Sequence, residues 1–323
     1  MNTSTQRYIS DSAGIAQAAE ILRAGGLLSF PTETVYGLGA DARNDMAVAG
    51  IFAAKGRPQF NPLIVHVADL NAVKDIAELS DIARNIAATF WPGPLTLVLP
   101  RKHNCGLSKL VTAGLDTVAV RIPAHPVARQ LLRAFDGPIA APSANPSGKI
   151  SPTRADHVME GLGGRIAGVL DGGACDVGVE STIIGFSAGI PMLLRSGGIP
   201  VEILQKAIGM SLKTPEISTI TAPGQLKSHY APTVDLRINA DAPHEKEVWL
   251  GFGPGTFDTP GLNLSETGDL HEAAAHLFAY LHQLDHMAIA RGISTIAVAP
   301  IPGHGLGLAI NDRLKRAAAP RER

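Results

Sequence analysis

The stretch from Ser29 to His66, SFPTETVYGLGADARNDMAVAGIFAAKGRPQFNPLIVH, sets two apolar, strand-like runs around a segment of glycines, hydroxyls and two closely spaced cations. Leu27 to Phe30 reads as a strand. Pro31 ends it, because proline keeps the preceding residue out of the helical region and withholds a ladder donor. Thr32 and Thr34 follow at once, and Gly37 and Gly39 let backbone approach a ligand where a side chain would block it. Asn44 or Asp45 can cap a helix whose apolar positions Val48, Ile51 and Phe52 recur at spacings of three and four. That helix should stop near Gly56, with Lys55 and Arg57 at its end. The helix dipole alone would favour two cations there. The loop chemistry around them points instead to a site.

Outside this stretch, a length of 323 residues favours two domains, and a hydrophobic share of 45% supplies ample core. The net charge of -1 creates no global field for nucleic acid, so any anion site must be built from local cations. Cys105 and Cys175 are far apart in sequence and form neither a zinc pattern nor an expected disulfide. The first residues carry no apolar leader and no run of apolar residues is long enough to span a bilayer, so the expectation is a cytoplasmic protein with no membrane partner.

Before the central stretch, Ser10, Asp11 or Ser12 can cap a helix through Ala24, stopped by Gly25 and Gly26. After it come a strand at 62–67, a helix at 81–90, a rigid Trp91-Pro92-Gly93-Pro94 turn and strands at 95–99 and 117–122. Arg121 lies amid apolar neighbours at the end of the last of these, either as half of an ion pair or as a ligand clamp. A helix at 125–135 leads into residues 138–152, where prolines 142, 146 and 152 stiffen a loop carrying Ser143, Asn145 and Ser151. Strands at 167–170, 181–186 and 192–195 complete a mixed-sheet α/β domain over residues 1–208. Residues 209–238 form a long linker with little periodicity, which suggests a tether or a functional lid. Residues 239–323 read as a small α/β, Rossmann-like domain, with a capping box at Asp269 and Glu272 and a last helix opened by Gly303 to Gly307.

Lys55, Arg57, Arg121, Lys149 and Arg195 all fall at or beside element ends, among Ser143, Asn145, Ser151 and Ser181. Cations and hydroxyls without a conspicuous acid, nucleophile or metal cluster describe a site that binds a polyanion and stabilises charge developing on it. Three other patterns carry no such weight. Ser147-Gly-Lys149 lacks the hydroxyl and first glycine of a P-loop. Gly303-x-Gly305 lacks the third glycine of a dinucleotide fingerprint. His282 and His286 share a helical face that solvation explains more simply than a metal does.

FPTETVYGLGADA, the KGRP of Lys55 to Pro58, PLIVHV, TVAVRIP and APSANPSGKISPT together resemble, in that order, the YrdC-type domain of the L-threonylcarbamoyladenylate synthases. SHYAP at 228–232 and GLGLAINDRLKRA at 305–317 resemble the linker and C-terminal domain of the family's longer, two-domain branch. The resemblance implies a nucleotidyltransferase. L-threonine, bicarbonate and ATP would give threonylcarbamoyl-AMP and diphosphate, for the t6A modification at position 37 of ANN-decoding tRNAs. It implies threonine contacts from Thr34, His66, Arg121 and Ser181. It implies ATP contacts from Lys55, Arg57, Asn61, Thr117, Ser143, Asn145, Ser151, Arg195 and Tyr230, with Lys55 and Arg57 closest to the chemistry. Mg2+ would accompany the nucleotide, since no dedicated metal cage is visible. A downstream threonylcarbamoyl transferase complex is an implied partner, and tRNA contact is conceivable. Ala141 departs from relatives that carry Thr there. The linker would fold back over the first domain and bring Tyr230 and His229 to the nucleotide. Two other readings compete: a carbamoyl-adenylate-forming enzyme of hydrogenase maturation, for which acylphosphatase-like and zinc-finger segments are missing, and an RNA- or tRNA-binding module, which the near-neutral charge disfavours.

Overall fold

The computed structural model describes residues 4–57, 61–214, 229–255 and 258–320. Within them, β1 (Gln6–Ile9), β2 (Leu28–Phe30), β3 (Gly37–Asp41), β4 (Ile64–His66), β5 (Leu95–Pro100), β6 (Thr117–Arg121), β7 (Ile139–Ala140), β8 (Gly168–Asp171), β9 (Thr182–Ser187) and β10 (Ile190–Arg195) form one sheet. Its order is β1-β8-β2-β3-β7-β4-β6-β5-β9-β10. Parallel pairs such as β4 with β6 and β5 with β9 alternate with antiparallel ones such as β2 with β3 and β5 with β6, so the sheet is mixed as the short connections require.

Helices α1 (Ser12–Arg23), α2 (Asp45–Lys55), α3 (Leu70–Ile76), α4 (Asp81–Phe90), α5 (Lys109–Thr112), α6 (Pro126–Phe135), α7 (Ala155–Leu162) and α8 (Val201–Ile208) accompany this sheet. Asp11 caps α1 through the amide of Gly14, and Asn44 caps α2 through the amides of Met46 and Ala47. Gly56 ends α2 in the left-handed conformation, at φ 60°. Val48 and Ile51 of α2, Ile86 of α4 and Val158 of α7 share one core with Val65, Leu97, Val118 and Val120. Because side chains alternate along a strand, Ile64 and Ala119 point the other way, into a small cluster with Val98 and Ile183 to which no helix contributes. His66 and Arg121, two residues further along β4 and β6, fall on this same face, which α1 and α6 cover over β2 and β7.

Gly37 and Gly39 form part of a buried strand rather than a ligand loop. A Cβ on Gly39 would meet the Phe30 ring at 2.9 Å, and one on Gly37 would crowd the Ala141 Cβ at 3.2 Å. These glycines chiefly admit neighbouring protein, although Gly37 also reaches the cleft described below. Their low β-propensity hid β3 from the sequence pattern.

The second sheet is parallel throughout: β11 (Asp235–Arg237), β12 (Glu247–Gly251), β13 (Gly261–Asn263) and β14 (Thr295–Val298), in the order β11-β14-β12-β13. Helices α9 (Leu270–Ala290) and α10 (Gly307–Ala317) pack with it. Phe278, Leu281, Ile310 and Leu314 share a core with Val35, Ile150, Val179 and Tyr230, so the C-terminal helices rest on loops of the first sheet. His282 is not on a solvated face, contrary to the helical-wheel expectation. It stacks on His157 of α7 with ring centroids 4.0 Å apart, while His286 meets Glu160 at 2.6 Å. No described helix is long and apolar enough to cross a membrane.

Candidate active site

A cleft opens on this face beyond α1 and α6, lined among others by Thr34, His66, Arg121, Ser181, Arg57 and Arg195. At one end β4 and β6 run parallel with His66 directly opposite Arg121. Arg121 is half of a buried ion pair and also lines the cleft, so the two roles the sequence set as alternatives are compatible. Its Nη2 donates to Glu33 at 2.5 Å, Nη1 to the Thr34 hydroxyl at 2.8 Å and Nε to the Gly93 carbonyl at 3.2 Å. Burial works to raise the Glu33 pKa, but the charge and hydrogen bond of Arg121 prevail and hold it below the usual carboxylate range. Each terminal nitrogen of Arg121 keeps a further N–H for a ligand. His66 is pushed down to about 3, first by burial and then by Arg121, so at neutral pH it is an uncharged imidazole. Its Nδ1 is buried with no hydrogen-bond partner among the described residues.

The other end is built from cations. Lys55 is buried, and its Nζ donates to the carbonyls of Ser143, at 2.5 Å, and Asn145, which straps the 143–147 loop to the end of α2. Burial first and Arg57 second lower its pKa well below the ordinary lysine value. Arg57 donates to the Pro62 carbonyl at 3.2 Å and has no carboxylate within ion-pair distance among the described residues. Arg195 holds the Ser181 carbonyl at 2.9 Å and the Ser181 hydroxyl at 3.2 Å. Burial lowers both arginines to about 10, and Arg195 adds to the fall at Arg57. Desolvated cations facing an open cleft gain most from an anionic ligand, whose charge reverses that penalty.

The end of the linker closes the wall. Tyr230 is buried at φ 66°, its ring 5.4 Å from Phe278, with His229 packed edge-on at 4.1 Å. The Ala231 amide donates to the Gly148 carbonyl at 2.8 Å. Both Tyr230 and His229 line the cleft, together with Glu180, the one acidic residue among its described lining residues. Glu180 accepts the Ser151 hydroxyl at 2.7 Å and Arg313 Nε at 2.9 Å.

Two family profiles match the chain: that described as telomere recombination (Sua5, YciO, YrdC) over residues 20–197, and the C-terminal domain of threonylcarbamoyl-AMP synthase over 199–319. The chain belongs to the two-domain threonylcarbamoyl-AMP synthase family. It is 42% identical to the threonylcarbamoyl-AMP synthase of Pyrococcus abyssi over 327 residues, which cover 94% of each chain. With that of Bacillus subtilis it shares 41% over 338 residues, covering 98% of this chain and 96% of the relative. Its fold is similar to the crystal structure of P. abyssi Sua5 complexed with L-threonine, with TM-score 0.88, 40% identity and 98% of both chains covered. The full-length match to this family, including the C-terminal domain, decides against the hydrogenase-maturation and RNA-module readings.

Of the residues the family resemblance assigns to threonine, Thr34, His66, Arg121 and Ser181 all line the cleft. Of those assigned to ATP, Arg57, Ser143, Arg195 and Tyr230 do so. Lys55, Asn145 and Ser151 are buried and engage protein partners: Asn145 Nδ2 donates to the carbonyls of Pro146 and Lys149, and Ser151 donates to Glu180. Asn61 is buried and does not line the cleft. Thr117 lies at the opposite end of β6 from Arg121, beside a separate cavity that it shares with Ser80, Val98 and Phe186. The linker residues 215–228 lie outside the described residues. Sequence reasoning missed Glu33, Glu180 and Arg313. A buried arginine at Arg121 demanded an acid, and Glu33 between two site threonines was the available signal. Glu180 and Arg313 gave none.

The buried rings predict an acid-sensitive fold. Burial is the main cause that lowers His66, His229 and His282 to about 3 and His157 to about 4. An unfolded histidine titrates near 6.5, so below that pH the unfolded chain binds more protons than the folded one. Their contribution is complete above about pH 6.5 and is lost as pH falls towards the folded values. The melting temperature should therefore decline steadily from pH 7 to pH 4.5, and a flat profile would contradict the burial of these rings.

Proposed function

We propose that this chain forms threonylcarbamoyl-AMP and diphosphate from L-threonine, bicarbonate and ATP, as a nucleotidyltransferase, with threonine at the His66 and Arg121 end of the cleft and the nucleotide phosphates at the Arg57 and Arg195 end. The observation that carries this reading is the single cleft with a neutral, hydrogen-bonding end and a cationic end, joined through Ser181, which touches Thr96 on one side and Arg195 on the other. The free amine of threonine adds to bicarbonate with loss of water to give a carbamate. A carbamate oxygen then attacks the α-phosphorus in line, and the bond to diphosphate breaks. Arg57 and Arg195 offset charge on the phosphates, where electrostatic stabilisation does most of the catalysis. Arg121 offers its remaining N–H groups to the threonine carboxylate, and Glu33 fixes its plane. His66 receives or gives a hydrogen bond rather than carrying the proton, because burial first and Arg121 second disfavour its imidazolium.

Mg2+ enters with ATP as part of the substrate. Among the described residues no group of three or more His, Cys, Asp or Glu is placed to hold a metal, and Glu180 is already engaged by Ser151 and Arg313. The product is an activated acyl donor, and its use by a threonylcarbamoyl transferase acting on tRNA is what the family resemblance implies. The test is diphosphate release measured with threonine, bicarbonate and ATP together and with each omitted in turn. Release that does not depend on threonine or bicarbonate would overturn the reading.

Arg121→Lys supplies a narrower check. Lysine keeps the charge but cannot keep both Glu33 and Thr34 in a planar fork. The threonine KM should rise about tenfold, the value of one charge-assisted hydrogen bond of roughly 1.5 kcal/mol, with a smaller change for ATP. Equal rises in both Michaelis constants would count against placing threonine at this end.

A further inference from the structure

Arg313, on the last helix, is fully buried, at 0% exposure, although it belongs to the C-terminal unit. Its Nε donates to Glu180 at 2.9 Å, its Nη1 donates to the Ser196 carbonyl at 2.6 Å and meets Asp312 at 3.2 Å, and its guanidinium carbon lies 5.7 Å from the Tyr230 ring centroid. Glu180 itself lines the cleft, and its charge is felt by Arg195. A carboxylate has the wrong sign for a place that receives a polyphosphate. Both of its oxygens are nevertheless committed elsewhere: Oε1 to the Ser151 hydroxyl and Oε2 to Arg313. Burial would raise the Glu180 pKa, but Arg313 and then Arg195 outweigh it, so the group stays ionised.

We infer that Arg313 is a positioning residue for the nucleotide: it takes up the charge of Glu180, turns the carboxylate towards Ser151, and so keeps it from competing with the phosphates for Arg195. Through this one side chain the last helix governs the electrostatics of a cleft formed mainly by the first sheet. Tyr230, at the linker end, packs near both Arg313 and Phe278 of α9. The inference rests on reading the cationic end of the cleft as the ATP site.

Steady-state kinetics of the full chain test it, with melting curves for every variant. Arg313→Met leaves the Glu180 carboxylate uncompensated, and the ATP KM should rise about tenfold or more while the threonine KM changes less than about twofold. Adding Glu180→Gln removes the repelling charge and keeps an acceptor for Ser151, so the double variant should return to within about threefold of the wild-type ATP KM. A merely structural role would not give this selective recovery. If Arg313→Met alone does not fold, the double variant carries the test, since it buries a neutral pair and should fold and bind ATP. An unchanged ATP KM in Arg313→Met, equal rises for both substrates, or a double variant that folds without recovering ATP binding would each overturn the proposal. Arg57→Ala in the same assay separates the two failures. If it leaves the ATP KM unchanged, the reading of the cleft is wrong. If it raises that KM while Arg313→Met does not, only the positioning role falls.

Discussion

Arg57→Ala should lower kcat/KM for ATP about tenfold to a hundredfold, because a charge-assisted contact to an ionised group contributes roughly 1.5–3 kcal/mol. Its melting temperature should stay level or rise. In the folded protein Arg57 is desolvated enough to fall to about 10, and among the described residues its side chain makes one hydrogen bond, at 3.2 Å to the Pro62 carbonyl. Removing such a group relieves a burial penalty, and opposite movements of stability and activity are the mark of a side chain kept for its ligand. A variant that melts lower and turns over normally would show that Arg57 serves the fold instead.

Glu33→Ala carries the largest expected loss of stability. It removes the carboxylate at 2.5 Å from Arg121 and leaves a guanidinium buried, with side-chain exposure of 4%, without its acid. Breaking a buried pair from one side costs about 3–5 kcal/mol, more than the pair contributes when intact. The surviving protein should bind threonine weakly, because the plane of Arg121 is no longer fixed. Glu33→Gln, which retains an acceptor, should lie between it and the wild type. Urea denaturation gives the comparison directly: an Ala variant within about 1 kcal/mol of wild type would mean that Arg121 finds another partner, against the geometry described.

Much of this was legible in the chain. Pro31 ends β2, Asn44 and Gly56 bound α2, and Arg121, Arg57 and Arg195, which the sequence puts at element ends, line one cleft. These are local rules, in which cause and effect lie within a few residues. What could not be read depends on distance along the chain. Glu33 and Arg121 are 88 residues apart, and Glu180 and Arg313 are 133 apart. A single acidic residue has no period or motif to announce its partner, and only the sheet order brings the members together. Thr117, which the resemblance assigns to ATP, lies at the end of β6 away from Arg121 and borders another cavity. The His282 and His157 stack was missed because a helical wheel shows which residues share a face and not what covers that face.

The two ends of the cleft differ in how they are made, and therefore in how they yield. His66 and Arg121 are neighbours because β4 and β6 are in parallel register, which main-chain hydrogen bonds maintain whatever the side chains do. A slip of one residue would turn both to the opposite face, so this end tolerates no small adjustment. The 143–147 loop is held by side chain and main chain together: the Lys55 ammonium grips the carbonyls of Ser143 and Asn145, while the amides of Ala144 and Ser147 donate to the carbonyls of Tyr36 and Lys55, each at 2.8 Å. The cleft is pinned by strand register at one end and by a mixed set of main-chain and side-chain hydrogen bonds at the other. A substitution at Lys55 therefore loosens only part of the loop's fastening, and the second end, like the first, keeps a main-chain frame.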